Sequence, residues 1–166
     1  MKYTEFYGFV NYSSFSLWDT FRAFHPYMNL INPSRNADMV ASMMAHYDQS
    51  TLKMLPIWSH YGNDNWCMSG YHSVSVIADA ILKGVYKGDA NKALDACIAT
   101  ANYRRYEGIG DYIDLGYIPD EKNGTSVSNT LEYAYDDWCI AQLAKHLNRE
   151  ADYQIFAKRA ENWRNM

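Results

Sequence analysis

Apolar residues return at helical spacing along most of this 166-residue chain, and that periodicity confines it to an all-α fold. Met39, Val40, Met43, Met44 and Tyr47 form one stripe; Val74, Ile77, Ala78, Ile81, Leu82 and Val85 form a second; Ala93, Leu94, Ala96 and Cys97 form a third. The longest runs from Val127 through Leu131, Ala134, Tyr135, Trp138, Ala141 and Ala144 to Leu147, and Tyr153, Phe156, Ala157 and Ala160 follow it. Residues three and four apart share a helix face, so each run predicts an amphipathic helix. A sixth helix is expected from Trp18 towards Met28. Period-two alternation is confined to the short stretch from Phe6 to Val10.

Turn residues fall between these runs. Pro33-Ser34 precedes one helix, Lys87-Gly88-Asp89 ends one and caps the next, and Asn123-Gly124-Thr125-Ser126 leads into the longest. Short connections predict antiparallel helical hairpins. Two longer segments, 52–68 and 108–124, read as loops, and loops on a helical scaffold are where sites tend to be built. The pattern from Tyr153 to Met166 stops without a cap, which reads as a piece of a longer helical array.

Several function classes are excluded by charge and composition. A net charge of −4 and no Lys/Arg run argue against nucleic acid as a partner. No stretch has the length of a membrane span, and Met1 to Glu5 lacks the apolar core of a signal peptide. Cys67, Cys97 and Cys139 have no metal or redox spacing and allow at most one disulfide. The unusual quantity is 16% aromatic residues, with fifteen Tyr and five Trp, rings that either pack a core or stack on sugar faces.

The stretch from Thr130 to Cys139 sets Glu132, Asp136 and Asp137 among Tyr133, Tyr135 and Trp138. Buried acids are costly unless paired or used. Glu132 and Asp136 are four apart, hence on one face, where like charge raises a carboxyl pKa while the nearby helix start lowers it. For Glu132 to hold a proton near neutrality, burial among the aromatics must prevail. Glycoside hydrolysis needs such an acid opposite a second carboxylate. An ordinary acidic first turn is the plainer reading. Trp18 with Asp19 and Arg22 can stack on a sugar and bind its hydroxyls, or form a simple helix ion pair. Trp66 and His72 flank a helix start, where a lone His is usually structural.

Four ordered blocks carry a family resemblance: Phe15 to Pro26, Leu55-Pro56-Ile57-Trp58, Cys67 to Val74 with Ile77-Ala78-Asp79-Ala80, and Ser126-Val127-Ser128 with Thr130 to Trp138. Together they resemble glycoside hydrolase family 92, the calcium-dependent exo-acting α-mannosidases. The resemblance implies that residues 1–166 are part of an (α/α)6 toroid whose N-terminal β-sandwich and C-terminal half lie elsewhere. It further implies an inverting enzyme that removes terminal α-linked mannose from glycans, outside the cytoplasm, in the periplasm or secreted.

By resemblance Glu132 is the general acid and Trp18-Asp19 a mannose contact, with Arg22, Trp66, His72, Asp136 and Asp137 completing or supporting the substrate site. The family's base belongs to a later Gly-Asn-Asp-Asp segment; Gly62-Asn63-Asp64-Asn65 looks like it but sits in a different block and is not assigned that role. Calcium is the implied cofactor, its ligands mostly outside this chain. The partners implied are a mannose-containing glycan and the rest of the catalytic domain, and the chain on its own is expected to be inactive. The alternative is a non-catalytic helical scaffold binding sugar or protein, against which the lack of a fixed repeat argues.

Overall fold

A computed structural model describes residues 8–60 and 63–166. Its helices are α1 (Leu17–Thr20), α2 (Phe24–Ile31), α3 (Pro33–Gln49), α4 (Ser73–Leu82), α5 (Ala90–Ala101), α6 (Ile109–Leu115), α7 (Ser126–His146) and α8 (Glu150–Arg159). A two-residue antiparallel ladder pairs β1 (Ser59–His60) with β2 (Asn63–Asp64) inside the long loop before α4. Short 3-10 turns, Asp120–Lys122 and Ala160–Asn165, precede α7 and follow α8. The fold is all-α, in helical hairpins.

Most helix ends follow from local chemistry. Asn32 caps α3 by accepting the Arg35 N–H at 3.2 Å, with Pro33 in the first helical position where its missing N–H costs nothing. Asp89 accepts the Lys92 N–H at 3.0 Å and starts α5. The stop of α4 differs from expectation: the helix ends at Leu82, not at Lys87-Gly88. Gly84 turns left-handed at φ 67°, and the Val85 N–H reaches the Ala80 carbonyl at 2.8 Å, which satisfies the terminal carbonyls early.

Three further differences have physical reasons. The helix expected from Trp18 to Met28 is broken at Phe21–Ala23 into α1 and α2. Pro26 would have removed an interior hydrogen bond of a continuous helix, and the break places it in the first turn of α2 instead. The segment 108–124, expected as a loop, contains α6 and a 3-10 turn. Gly108 and Gly116, at φ 83° and 80°, bracket that single short helix. Phe6 and Tyr7 of the alternating stretch lie outside the described residues, and Gly8 to Val10 form no strand.

The core lies between α4, α5, α7 and α8, with Val74, Ile77, Leu94, Cys97, Ile140, Leu143 and Phe156 buried together. All three cysteines are free thiols. Helix α7 is apolar on two sides. One face packs on α4, α5 and α8, while Val127, Leu131, Tyr135 and Trp138 on the other stand exposed.

Candidate active site

Glu132 sits one and a half turns into α7 at the edge of a pocket of about 550 Å³, which Phe21, Arg22, Asp79, Tyr135 and Trp138 also line. Its side chain is 22% exposed, enough to meet a ligand. The Trp18 indole N–H donates to Glu132 Oε1 at 3.1 Å, and the Arg22 guanidinium approaches the same oxygen at 3.9 Å. On the other side His72 Nε2 lies 3.3 Å from Oε2, an ion pair rather than an aligned hydrogen bond.

His72 continues the line inward. Its Nδ1 lies 2.9 Å from Asp136 Oδ1, and the second Asp136 oxygen accepts the Tyr71 backbone N–H at 2.7 Å. The Phe21 ring stacks on the imidazole at 3.8 Å with an interplanar angle of 12°. Thus the i, i+4 pair Glu132 and Asp136, which would repel each other on an open helix face, is bridged by a residue sixty positions earlier in the chain.

Burial works against a charged His72, but Asp136 and Glu132 outweigh it and raise the imidazole to about 9. Burial pushes the Glu132 carboxyl up; His72, Trp18 and Arg22 together overcome this and hold it below the ordinary carboxylate value. The sequence condition that aromatic burial should keep Glu132 protonated is therefore not met by these residues. Burial is present, but a cation on each side and the indole N–H outweigh it; Tyr133 stacks on Tyr71 at 5.0 Å, and the Tyr135 hydroxyl pairs with Ser75 at 2.8 Å.

Asp137 faces the core rather than the pocket. It accepts from the Tyr71 and Tyr112 hydroxyls at 2.8 and 2.9 Å and from Arg159 Nε at 2.9 Å. Burial pushes it up to about 6 in spite of the Arg159 charge. His72, Asp136 and Asp137 are buried behind the pocket surface: Asp136 and Asp137 accept hydrogen bonds from protein partners, and His72 bridges Asp136 and Glu132.

Asp19 is exposed at the same end of α1 and accepts from the Ser16 hydroxyl, which in turn accepts the Trp58 indole N–H at 2.7 Å. Trp66 is not brought to the Glu132 pocket. It packs edge-on against Tyr103 and Tyr106 and lines a smaller pocket with His46, Met54 and Asp64. Asp64 serves the loop itself, accepting the Trp58 and Trp66 N–H groups at 3.1 and 2.8 Å. Sequence reasoning missed Tyr71, Tyr112 and Arg159 as the holders of Asp137; the signal available was only that a buried acid needs partners.

Among the described residues no group of three or more His, Cys, Asp and Glu side chains is arranged to hold a metal ion.

The longest helix of this all-α domain thus presents a partly exposed glutamate, backed by a buried His-Asp pair and flanked by an indole and a guanidinium. The chain belongs to glycosyl hydrolase family 92: the description of that family's catalytic domain matches residues 1–166. A family GH92 α-mannosidase from Bacteroides thetaiotaomicron superposes with a TM-score of 0.94 at 53% identity over 97% of this chain and 22% of its own. The same enzyme has been solved with mannoimidazole. A family GH92 inverting mannosidase from Bacteroides thetaiotaomicron VPI-5482 gives a TM-score of 0.85 at 34% identity, covering 93% of this chain and 22% of its own. An uncharacterized secreted glycosidase from Arthroderma benhamiae is 31% identical over 114 residues, 59% of this chain and 14% of that protein. The chain thus spans about a fifth of the length of its solved relatives.

Proposed function

We propose that this chain forms part of the active site of an inverting α-mannosidase, with Glu132 as the general acid that protonates the glycosidic oxygen of a terminal mannose. The observation that carries the reading is Glu132 itself, oriented by Trp18 and His72 at the edge of the 550 Å³ pocket. The solved relatives named as α-mannosidase and inverting mannosidase favour this chemistry over a scaffold, as does the mannoimidazole complex. Trp18, Asp19 and Arg22 supply a stacking face and two hydroxyl partners beside the acid; Trp66 would meet sugar only at a more distant position.

An inverting mechanism requires a second carboxylate to activate water across the ring. Asp79 also lines the pocket, but Lys83 and Asn29 engage it at 2.8 Å each. We assign the base, and most of the calcium ligands, to residues outside 1–166. The remaining helices of an (α/α)6 domain would cover Val127 and Leu131, exposed apolar side chains beside the pocket. On this reading residues 1–166 alone are nearly inactive, because orientation and electrostatic preorganisation are both incomplete. No helix among the described residues is long and apolar enough to cross a membrane, and a periplasmic or secreted location is proposed from the secreted relative.

The test is the anomeric form of the first product. Proton NMR of α-mannoside hydrolysis by the longer protein should show β-mannose before mutarotation. Release of α-mannose would rule out the inverting mechanism, and no hydrolysis of any mannoside, with calcium present, would rule out the function.

A further inference from the structure

We propose that His72 is a positioning residue for the acid: wedged between Asp136 and Glu132 and stacked on Phe21, it fixes the Glu132 carboxyl and sets its charge. The proposal deepens the reading of Glu132 as general acid and rests on it.

Burial pushes the Asp136 carboxyl up, while the Tyr71 N–H at one oxygen and His72 Nδ1 at the other favour its ionised, accepting form, in which Nδ1 carries the hydrogen. That fixes the imidazole, with Phe21 against its face, and directs Nε2 at Glu132 Oε2 3.3 Å away. A neutral ring would then set a lone pair against a carboxylate lone pair. A proton carried by either group removes that repulsion, as imidazolium beside carboxylate or imidazole beside carboxylic acid; at 3.3 Å the contact is ionic rather than an aligned hydrogen bond.

The groups facing this contact decide where the proton rests. From α7 come Asp136, Glu132 and the Tyr135 ring, at 6.2 Å from the imidazole; from α1 and the turn after it come the Trp18 N–H and the Arg22 guanidinium, both on Glu132 Oε1. Two carboxylates favour the proton on His72, and Trp18 and Arg22 favour an ionised Glu132. The imidazolium is therefore the resting form, in agreement with its raised titration. Glu132 becomes protonated only by overcoming a charge that His72 holds in place. His72 touches no substrate; it acts through Glu132.

The experiment is carbon-13 NMR titration of the glutamate carboxyl and histidine ring in the intact protein. His72→Gln removes the charge and should raise the Glu132 pKa by about 1 to 3 units. The coupling is reciprocal, so Glu132→Gln should lower the His72 pKa by a similar amount. In a hydrolysing protein the alkaline limb of kcat/KM against pH should move upward with His72→Gln, because that limb follows loss of the acid's proton. A merely structural His72 would lower activity without moving the limb.

An unchanged Glu132 titration in folded His72→Gln overturns the proposal. Should that buried replacement fail to fold, Glu132→Gln at the half-exposed pocket edge decides from the other side, and an unmoved His72 overturns it. Shifted titrations in a protein that cleaves no mannoside would keep the coupling and sink only the acid assignment.

Discussion

Replacing Arg159 with Met removes the cation that faces Asp137 and leaves the carboxylate with two tyrosine hydroxyls in a dry core. Breaking one side of a buried ion pair costs about 3–5 kcal/mol when the remaining charge is trapped. Asp137 has a way out, because burial already holds its pKa near 6. With a folded value above the ordinary 3.8, its neutral form favours folding: that contribution is fully present below 3.8 and is lost as pH rises through about 6. The difference corresponds to about 3 kcal/mol.

Without Arg159 the carboxyl titrates higher still, so the variant's deficit must depend on pH. We expect a loss of about 3–5 kcal/mol at pH 8. At pH 5, where Asp137 is largely neutral in both proteins, about 1–2 kcal/mol should remain from the lost hydrogen bonds to Asn102 and Ala101. Urea denaturation at the two pH values measures this. Equal losses at both, or a loss below about 1 kcal/mol at pH 8, would refute the view that the Asp137 charge controls the penalty.

Gly70 has φ 85°, and a Cβ there would stand 2.3 Å from His72 Nε2, so Gly70→Ala should lower stability by about 1–3 kcal/mol and abolish the His72 titration shift, read by thermal melting and NMR. Polar replacement of Val127 and Leu131 together should leave the stability of residues 1–166 within about 0.5 kcal/mol, since both side chains are exposed, yet destabilise the longer domain by several times that; equal effects in both would contradict the assigned covering of this face.

How legible the molecule was depends on where each signal resides. α3, α4, α5, α7 and α8 could be read because packing on a shared core repeats every three or four residues, as in Val74, Ile77 and Ile81. α6 escaped because seven residues between two glycines hold only Ile109 and Tyr112 as buried anchors, too few for a period. The break before α2 was written in Pro26, which the helix expected from Trp18 towards Met28 ran straight through. At the site, Glu132, Trp18 and Arg22 come together as the family blocks suggested. The part played by His72 was hidden: a local reading of either segment cannot show that residue 72 lies between residues 132 and 136. The direction of the Glu132 shift was hidden for the same reason, since it depends on Trp18, Arg22 and His72 rather than on its neighbours in α7.

The most direct test of the central claim uses leaving groups. A general acid matters when the departing oxygen is a poor leaving group and hardly matters when it departs unaided. In the longer protein, Glu132→Gln should reduce kcat/KM on an alkyl α-mannoside by on the order of 10²–10⁴ and on dinitrophenyl α-mannoside far less. Equal losses on both substrates, or full activity on the alkyl mannoside, would contradict Glu132 as the acid.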